Sequence, residues 1–372
     1  MLVNRLPATS FIAGNLASLR TTSTSLRGTA TMNSHPGNPF GFKWHRSMLR
    51  CKDAVASVKH YEERYGMKLV DVYHTPTLGK SNYYLASLRQ GETWPEPGTP
   101  EAHKRLFDMQ HSCVELEHEH GEAADPHLEF SNGNDEPHRG FGHLAFLTAD
   151  VYQASEKLEK AGVSFKKKPD EGRMKGLAFA YDPSGYWIEL VKRSKEAGHP
   201  EEFNLGQTML RVKDIDKSLE FYTGESGMGM TKASGFSEQG LCPSFVCEIH
   251  FDTFSLYFLQ SLSTGELSTM PAPDSPEAYS RMGQSWAPVL ELTHNHGTES
   301  DPTFSHHNGN TEPKGFGYLG FIVDDLHGAS ECLKKKGATE IPEPAIFKGK
   351  LRRLTDPDGY HVQLALRQAV LE

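Results

Sequence analysis

The sequence predicts an α+β fold made of four copies of one small unit: a strand, a helix, then about three more strands. Three observations carry this. The chain is written twice after its first 38 residues. Each half holds two stretches with helix start and stop signals. Each of those stretches is followed by short runs of alternating apolar and polar residues, the period of a half-buried strand. A length of 372 residues allows two domains at roughly 150 residues each.

The elements follow in chain order. Residues 1–31 carry Arg5, Arg20 and Arg27 among Ser and Thr, and no acidic residue precedes Asp53. That composition predicts a mitochondrial or plastid transit peptide within a leader of residues 1–38. Initiation at Met32 would instead give a cytoplasmic form lacking the basic segment. The first half is expected over 39–195 and the second over 202–368, joined by the polar stretch Ser194–Pro200. Met48-Leu-Arg-Cys-Lys-Asp53 returns as Met209-Leu-Arg-Val-Lys-Asp214, and Val114-Glu-Leu116 returns as Leu290-Glu-Leu292. Ser131-Asn-Gly-Asn134 returns as His307-Asn-Gly-Asn310, and Arg139-Gly-Phe-Gly-His143 as Lys314-Gly-Phe-Gly-Tyr318. Asp182-Pro-Ser-Gly-Tyr186 returns as Asp356-Pro-Asp-Gly-Tyr360. Such ordered self-similarity is an internal repeat. Helices are expected over 52–66, 149–162, 214–227 and 324–337, each running from an Asp or its neighbour to a Gly. Asn-Gly-Asn reads as a turn. The Pro-rich stretches Thr93–Pro100 and Met270–Pro276 read as loops.

Composition narrows the function. Lys and Arg total 39 against 48 Asp and Glu, a net charge of -9. Nucleic-acid partners usually demand a basic face, so none is expected. No run approaches the roughly 18 apolar residues of a bilayer span, so no membrane association is expected. Five cysteines without a Cys-x-x-Cys make a disulfide scaffold or a zinc finger improbable readings of the thiols. Nineteen histidines are enough for chance clusters, so no single His argues for a site.

Strand parity sorts the polar candidates. Gln207, Met209 and Arg211 share one strand face; Glu291, Thr293 and Asn295 share another. Glu115, Glu189 and Glu291 each sit among apolar residues, where a carboxylate is costly unless paired. Several such carboxylates, with His143 opening an apolar strand and the amide of Gln207, form a plausible N/O set for a divalent cation. The plain alternatives are a strand-end histidine, a surface amide, and a Glu189 paired with the run Lys166–Lys168. The pairs His118/His120 and His294/His296 look like metal clips but rank below the carboxylates.

The blocks Gln207-Thr-Met-Leu-Arg211-Val-Lys-Asp, Leu290-Glu291-Leu-Thr-His-Asn295, Arg139-Gly-Phe-Gly-His143, Met174-Lys-Gly-Leu-Ala-Phe and Asp182-Pro-x-Gly-Tyr-Trp-Ile-Glu189 resemble the glyoxalase I family, the lactoylglutathione lyases. The resemblance spans nearly the whole chain after the leader, in the two-half layout of the monomeric type. It implies the vicinal-oxygen-chelate fold, with paired modules forming two half-open mixed-sheet barrels. It implies one divalent metal ion, zinc, with nickel or cobalt as alternatives. The ligands it implies are Gln207 and Glu291 from one half and His143 and Glu189 from the other. The implied substrate is the hemithioacetal of methylglyoxal and glutathione. The resemblance gives its carboxylates to Arg211 and Asn295, and to Arg139 and Lys167, with Met174 lining the pocket. Glu189 is the expected base, with Glu291 as the second catalytic carboxylate, and the metal stabilises the enediolate that carries the substrate to S-lactoylglutathione.

Only one quartet is complete. In the other combination Arg46 replaces Gln or His, beside His45; Glu115 survives; Tyr318 replaces the His and Gln363 the last Glu. Glu119 stands where the first site has Asn295. A guanidinium repels a cation, so the second cavity is expected to hold no metal, with Glu115 paired to Arg46. The resemblance leaves two alternatives. An iron ring-cleaving dioxygenase of the same superfamily would want a His-His-carboxylate triad, which Gln207 and the second Glu oppose. A ligand-sequestering protein would not need the quartet.

Overall fold

Four modules can be followed along the chain of this computed structural model, which describes residues 40–172, 174–194, 197–223, 244–262, 266 and 269–367. The leader lies outside the described residues, as does the end of the third expected helix. The first module holds β1 (Lys43–Arg50), α1 (Ala54–Tyr65), β2 (Lys68–Thr75), β3 (Lys80–Ala86), α2 (Pro100–Asp108) and β4 (Cys113–Glu119). The second holds β5 (Phe141–Thr148), α3 (Val151–Lys160), β6 (Phe165–Lys167), β7 (Ala178–Tyr181) and β8 (Trp187–Lys192). The third holds β9 (Phe203–Val212), α4 (Ile215–Thr223), β10 (Ser244–His250), β11 (Phe254–Gln260), α5 (Pro276–Met282) and β12 (Val289–Asn295). The fourth holds β13 (Phe316–Val323), α6 (Leu326–Lys335), β14 (Glu340–Ile341), β15 (Leu351–Thr355) and β16 (His361–Leu366).

The helices begin where the sequence places its caps. Asp53 Oδ1 accepts from the Ala56 amide at 2.9 Å, and Gly66 ends α1 at φ 66°. Asp150 and Asp325 cap α3 and α6 in the same way. A side-chain oxygen there satisfies an amide that the helix itself cannot pair. The Pro-rich stretches are only partly loops. Each ends in a short helix, α2 or α5, with Pro at the first turn and Thr99 or Ser275 as its cap. Pro is tolerated there because its missing N–H has no intrahelical partner to lose.

Within each module the first and last strands pair in parallel, as β1 with β4 and β9 with β12. The modules then join antiparallel, β1 to β13 and β5 to β9. Two eight-stranded mixed sheets result, ordered β14-β15-β16-β13-β1-β4-β3-β2 and β10-β11-β12-β9-β5-β8-β7-β6. Each sheet therefore takes one module from each half of the sequence. The inner two modules share a sheet, and the outer two share the other.

One apolar core runs between the sheets and includes Leu49, Leu144, Phe146, Leu210, Leu290, Leu292 and Leu319. Helix α1 crosses from the first sheet to the second, stacking Tyr65 on Phe146 at 4.5 Å. The sheets also meet through Phe141 and Phe316, stacked at 5.1 Å, and through the hydroxyls of Ser47 and Thr208, 2.9 Å apart. Strand alternation sends the other side chains to the concave faces. The chemistry lies there.

Candidate metal centre

Each inner strand of the second sheet supplies one polar side chain to a common point on the concave face. His143 comes from β5, Glu189 from β8, Gln207 from β9 and Glu291 from β12, and all four are buried. In a flat sheet β8 and β12 would lie three strand spacings apart, roughly 14 Å. Yet ligand atoms of His143, Glu189 and Glu291 all lie within 4.8 Å of one another. The sheet is thus curled into a half-open barrel. The register sets the heights: Ala145 pairs with both Glu189 and Gln207, and Met209 with both His143 and Glu291. A bulge at Gly206, between the Ala145–Gln207 and Phe146–Leu205 pairs, interrupts the ladder directly before Gln207.

The four groups fit a divalent cation. His143 Nε2 lies 3.1 Å from Glu189 Oε2 and 3.7 Å from Glu291 Oε2, yet makes no hydrogen bond among the described residues. The Gln207 amide nitrogen donates to Glu189 Oε2 at 3.0 Å and to Glu291 Oε2 at 2.6 Å. Burial by itself would depress the imidazole, but the Glu189 and Glu291 carboxylates push it up to about 9. The two buried carboxylates, toward which the neutral Gln207 amide turns its hydrogens, carry the charge a divalent cation would balance. Turning the Gln207 amide over presents its carbonyl oxygen to the same point. Two carboxylates, an imidazole and an amide oxygen are a suitable donor set for such an ion.

The plain alternatives do not match the geometry. Lys168 pairs with Glu159, Lys166 lies over Trp187, and Lys167 donates to the Met174 and Leu177 carbonyls; none pairs with Glu189. Nor do the His-x-His pairs form a metal cluster among the described residues. His120 and His296 each bond a serine hydroxyl, Ser81 or Ser255, at 2.8 Å. His294 bonds Glu299 at 2.9 Å.

The second barrel has the same framework and different contents. The bulge recurs at His45, and Arg46 stands where the other sheet has Gln207. Arg46 Nε donates to Glu115 Oε2 at 2.7 Å, and the same guanidinium bonds Gln363. Glu115 also accepts from Asn82 at 2.7 Å and from Tyr318 at 2.8 Å. The pairing of Arg46 with Glu115 expected from sequence is therefore present. His45 turns away to the Leu106 carbonyl and stacks against Phe107 of α2. Phe107 reaches across to Ile322 and Ala365 of the partner module. A tethered cation and an aromatic ring fill this barrel.

Of the residues assigned to the thiol ligand, Arg211 shares its strand face with Gln207, and Asn295 with Glu291. The Asn295 side chain is half-buried and makes no hydrogen bond among the described residues. Arg139 is exposed, 3.3 Å from Glu136. Lys167 and Met174 meet through the 2.7 Å bond from Nζ to the Met174 carbonyl. Sequence reasoning missed that Arg211 is already employed. It donates to the Gly133 carbonyl at 3.1 Å and to Asn134 Oδ1 at 2.9 Å. Arg50 makes the same contacts with Gly309 and Asn310. Both arginines thus clamp the Asn-Gly-Asn turns. A Cβ on Gly133 or Gly309 would lie 2.2 Å from a backbone oxygen, so only glycine fits. Thr293 was missed too: its hydroxyl lies 3.1 Å from Glu291 Oε1 and orients that carboxylate. The signal was its position two residues along the same face.

The glyoxalase/bleomycin resistance protein/dioxygenase superfamily profile matches residues 43–190 and again 204–364, and the chain belongs to that superfamily. The chain is 36% identical to glyoxalase I of Saccharomyces cerevisiae over 324 residues, 85% of this chain and 90% of the yeast one. It is 32% identical to the lactoylglutathione lyase of Schizosaccharomyces pombe over 330 residues, 87% of this chain and 96% of that one. Within the superfamily it belongs to the glyoxalase I family. The crystal structure of glyoxalase I from Zea mays shares the fold, with a TM-score of 0.59 at 24% identity over 89% of this chain and 94% of the maize chain.

Proposed function

We propose that this protein is a lactoylglutathione lyase, converting the hemithioacetal of methylglyoxal and glutathione into S-lactoylglutathione and so removing methylglyoxal. The observation that carries the reading is the convergence of Gln207, Glu291, His143 and Glu189 from two modules onto one point. These four residues would hold a divalent cation, zinc in our reading, which would supply Lewis acidity to the bound substrate. Glu189 takes the proton from C1 and returns it at C2; Glu291 serves the opposite stereoisomer. Their burial excludes water, so the proton is kept for return. Arg211, Asn295, Arg139 and Lys167 hold the ligand's carboxylates, guanidinium groups being suited to bidentate pairing. Met174 borders the same pocket. The chain acts as a monomer, because both halves of the site lie within it.

The deciding experiment loads purified, stripped protein with zinc, nickel or cobalt and follows thioester formation from the hemithioacetal. Turnover with zinc supports the whole reading, and turnover with nickel or cobalt alone corrects the metal. No turnover with any of them overturns the activity. Residues 1–31 direct the protein to mitochondria or plastids. A fusion of residues 1–40 to a fluorescent reporter should enter one of these organelles, and a diffuse cytosolic signal would overturn that address.

A further inference from the structure

Of the two carboxylates at the centre, one is held at both oxygens and the other at one. Glu291 Oε2 accepts from the Gln207 amide at 2.6 Å, and Glu291 Oε1 accepts from the Thr293 hydroxyl at 3.1 Å. Glu189 Oε2 accepts from the same amide at 3.0 Å, but its Oε1 takes no hydrogen bond among the described residues. Thr293 and Glu291 are both buried, at 6% and 4% exposure. A hydroxyl has one proton to give, and here it is committed to the carboxylate.

The repeat provides three internal comparisons. Strand alternation puts a side chain on the concave face two residues beyond each position of the last strand that faces the barrel. That place holds Thr293 after Glu291, Val191 after Glu189, Glu117 after Glu115 and Ala365 after Gln363. Of these only Thr293 carries a hydroxyl. In the second barrel Glu117 lies opposite Arg50 in register, pairs with it at 3.8 Å and pairs with Lys80 at 3.0 Å. Thr293 lies opposite Arg211 in the same register. A neutral residue there spares Arg211 a competing carboxylate, but valine would do so equally well. The hydroxyl needs another reason, and its one hydrogen bond among the described residues goes to Glu291.

The bond restrains one carboxylate and not the other. Glu291 keeps one oxygen on the hydroxyl and turns the other to the point it shares with Gln207 and His143. Swinging it away would break the bond to Thr293 inside a buried site, where an unmade hydrogen bond is costly. Glu189 bears no such restraint at Oε1.

We propose that Thr293 is a positioning residue for the metal centre, pinning Glu291 in place as a standing ligand of the cation. This deepens the lactoylglutathione lyase reading and rests on its metal quartet. Thr293 acts through Glu291 and touches neither the cation nor the substrate. Partners that orient a metal ligand in this way typically contribute about 10–100-fold to metal affinity.

The test compares the wild type with Thr293→Val, which has the same shape without the hydroxyl, and Thr293→Ser, which restores it. Each protein is stripped of metal, and its zinc Kd is measured by competition with a chromogenic chelator. The visible spectrum of the cobalt-loaded protein reports the ligand geometry. Thr293→Val should bind zinc about 10-fold or more weakly, with an altered cobalt spectrum and a metal-free Tm close to that of the wild type. Thr293→Ser should return the Kd and the spectrum toward wild type. An unchanged Kd and cobalt spectrum in Thr293→Val would overturn the inference. A weaker Kd that Thr293→Ser does not recover, or one that accompanies a fall in the metal-free Tm, would overturn it in favour of a packing role. If Thr293→Val does not fold, Thr293→Ala is judged in its place by the same outcomes. Turnover of the hemithioacetal is followed separately. A wild type that binds zinc without turnover removes the functional reading, while the Kd still decides the role of Thr293. A wild type that binds none of zinc, nickel or cobalt overturns both.

Discussion

Three buried glutamates in similar strands have different work. Glu189 and Glu291 share one amide and face one imidazole, whereas Glu115 faces a guanidinium, an amide and a phenol. Glu189→Gln should lower turnover about 100-fold or more, the scale of general-base removal; near wild-type kcat would refute its role. Glu291→Gln should lose metal and turnover together. Glu115→Gln should leave turnover nearly intact but cost about 3–5 kcal/mol of stability, because Arg46 would be left as a buried unpaired charge. Equal losses of activity in the two last variants, measured beside thermal melts, would show that the second barrel works. Arg211 has two tasks, clamping a turn and holding ligand. Arg211→Ala should raise KM and lower Tm, while Arg50→Ala, with the same clamp in the filled barrel, should lower Tm alone. An unchanged KM in Arg211→Ala would remove its ligand role.

At the scale of an element, the Asp-Pro-x-Gly turns that open β8 and β16 differ in one residue. Asp182 and Asp356 each accept a buried tyrosine hydroxyl, from Tyr61 at 2.9 Å and Tyr222 at 2.8 Å. Burial raises Asp182 to about 6. Asp356 is raised by burial and then by Asp358, where the first half has Ser184. An acid whose folded pKa is raised binds its proton more tightly in the folded state. Its stabilisation is present below the ordinary carboxylate value and is lost as pH rises through the raised folded value. Asp358→Asn keeps an acceptor for the Lys213 amide and removes the repelling charge. The decline in Tm from about pH 5 to about pH 8 should therefore be shallower in the variant than in the wild type. Parallel declines would show that Asp358 does not set the titration.

For the whole molecule, the two barrels differ in charge before any ligand arrives. The first gathers two carboxylates around one imidazole and one amide, while the second has matched Glu115 with Arg46 inside the chain. Phe107 then closes the second barrel, whereas Gly283 occupies the corresponding place after α5. One divalent metal and one inhibitor should bind per chain, as metal analysis and calorimetric titration would read. Two metals per chain would contradict the pairing of Arg46 with Glu115.

The sequence alone determined the repeat, the α+β class and the parity that puts Gln207 with Arg211 and Glu291 with Asn295. These depend on local periods of two and 3.6 residues and on residue identity, which a linear chain displays. It also exposed Arg46 as a cation in a cation's place. The family resemblance implied that His143 and Glu189 join Gln207 and Glu291, but only the tertiary structure showed the strand order and curl that bring three of their ligand atoms within 4.8 Å of one another. The bulges at His45 and Gly206, the clamps made by Arg50 and Arg211, and the plug formed by Phe107 were not legible beforehand. Each depends on contacts between residues far apart in sequence, made when two strands pair or a helix crosses to another module. Helix α2 followed the same logic, its Pro-rich approach having the composition of a loop until packing against the sheet fixed it.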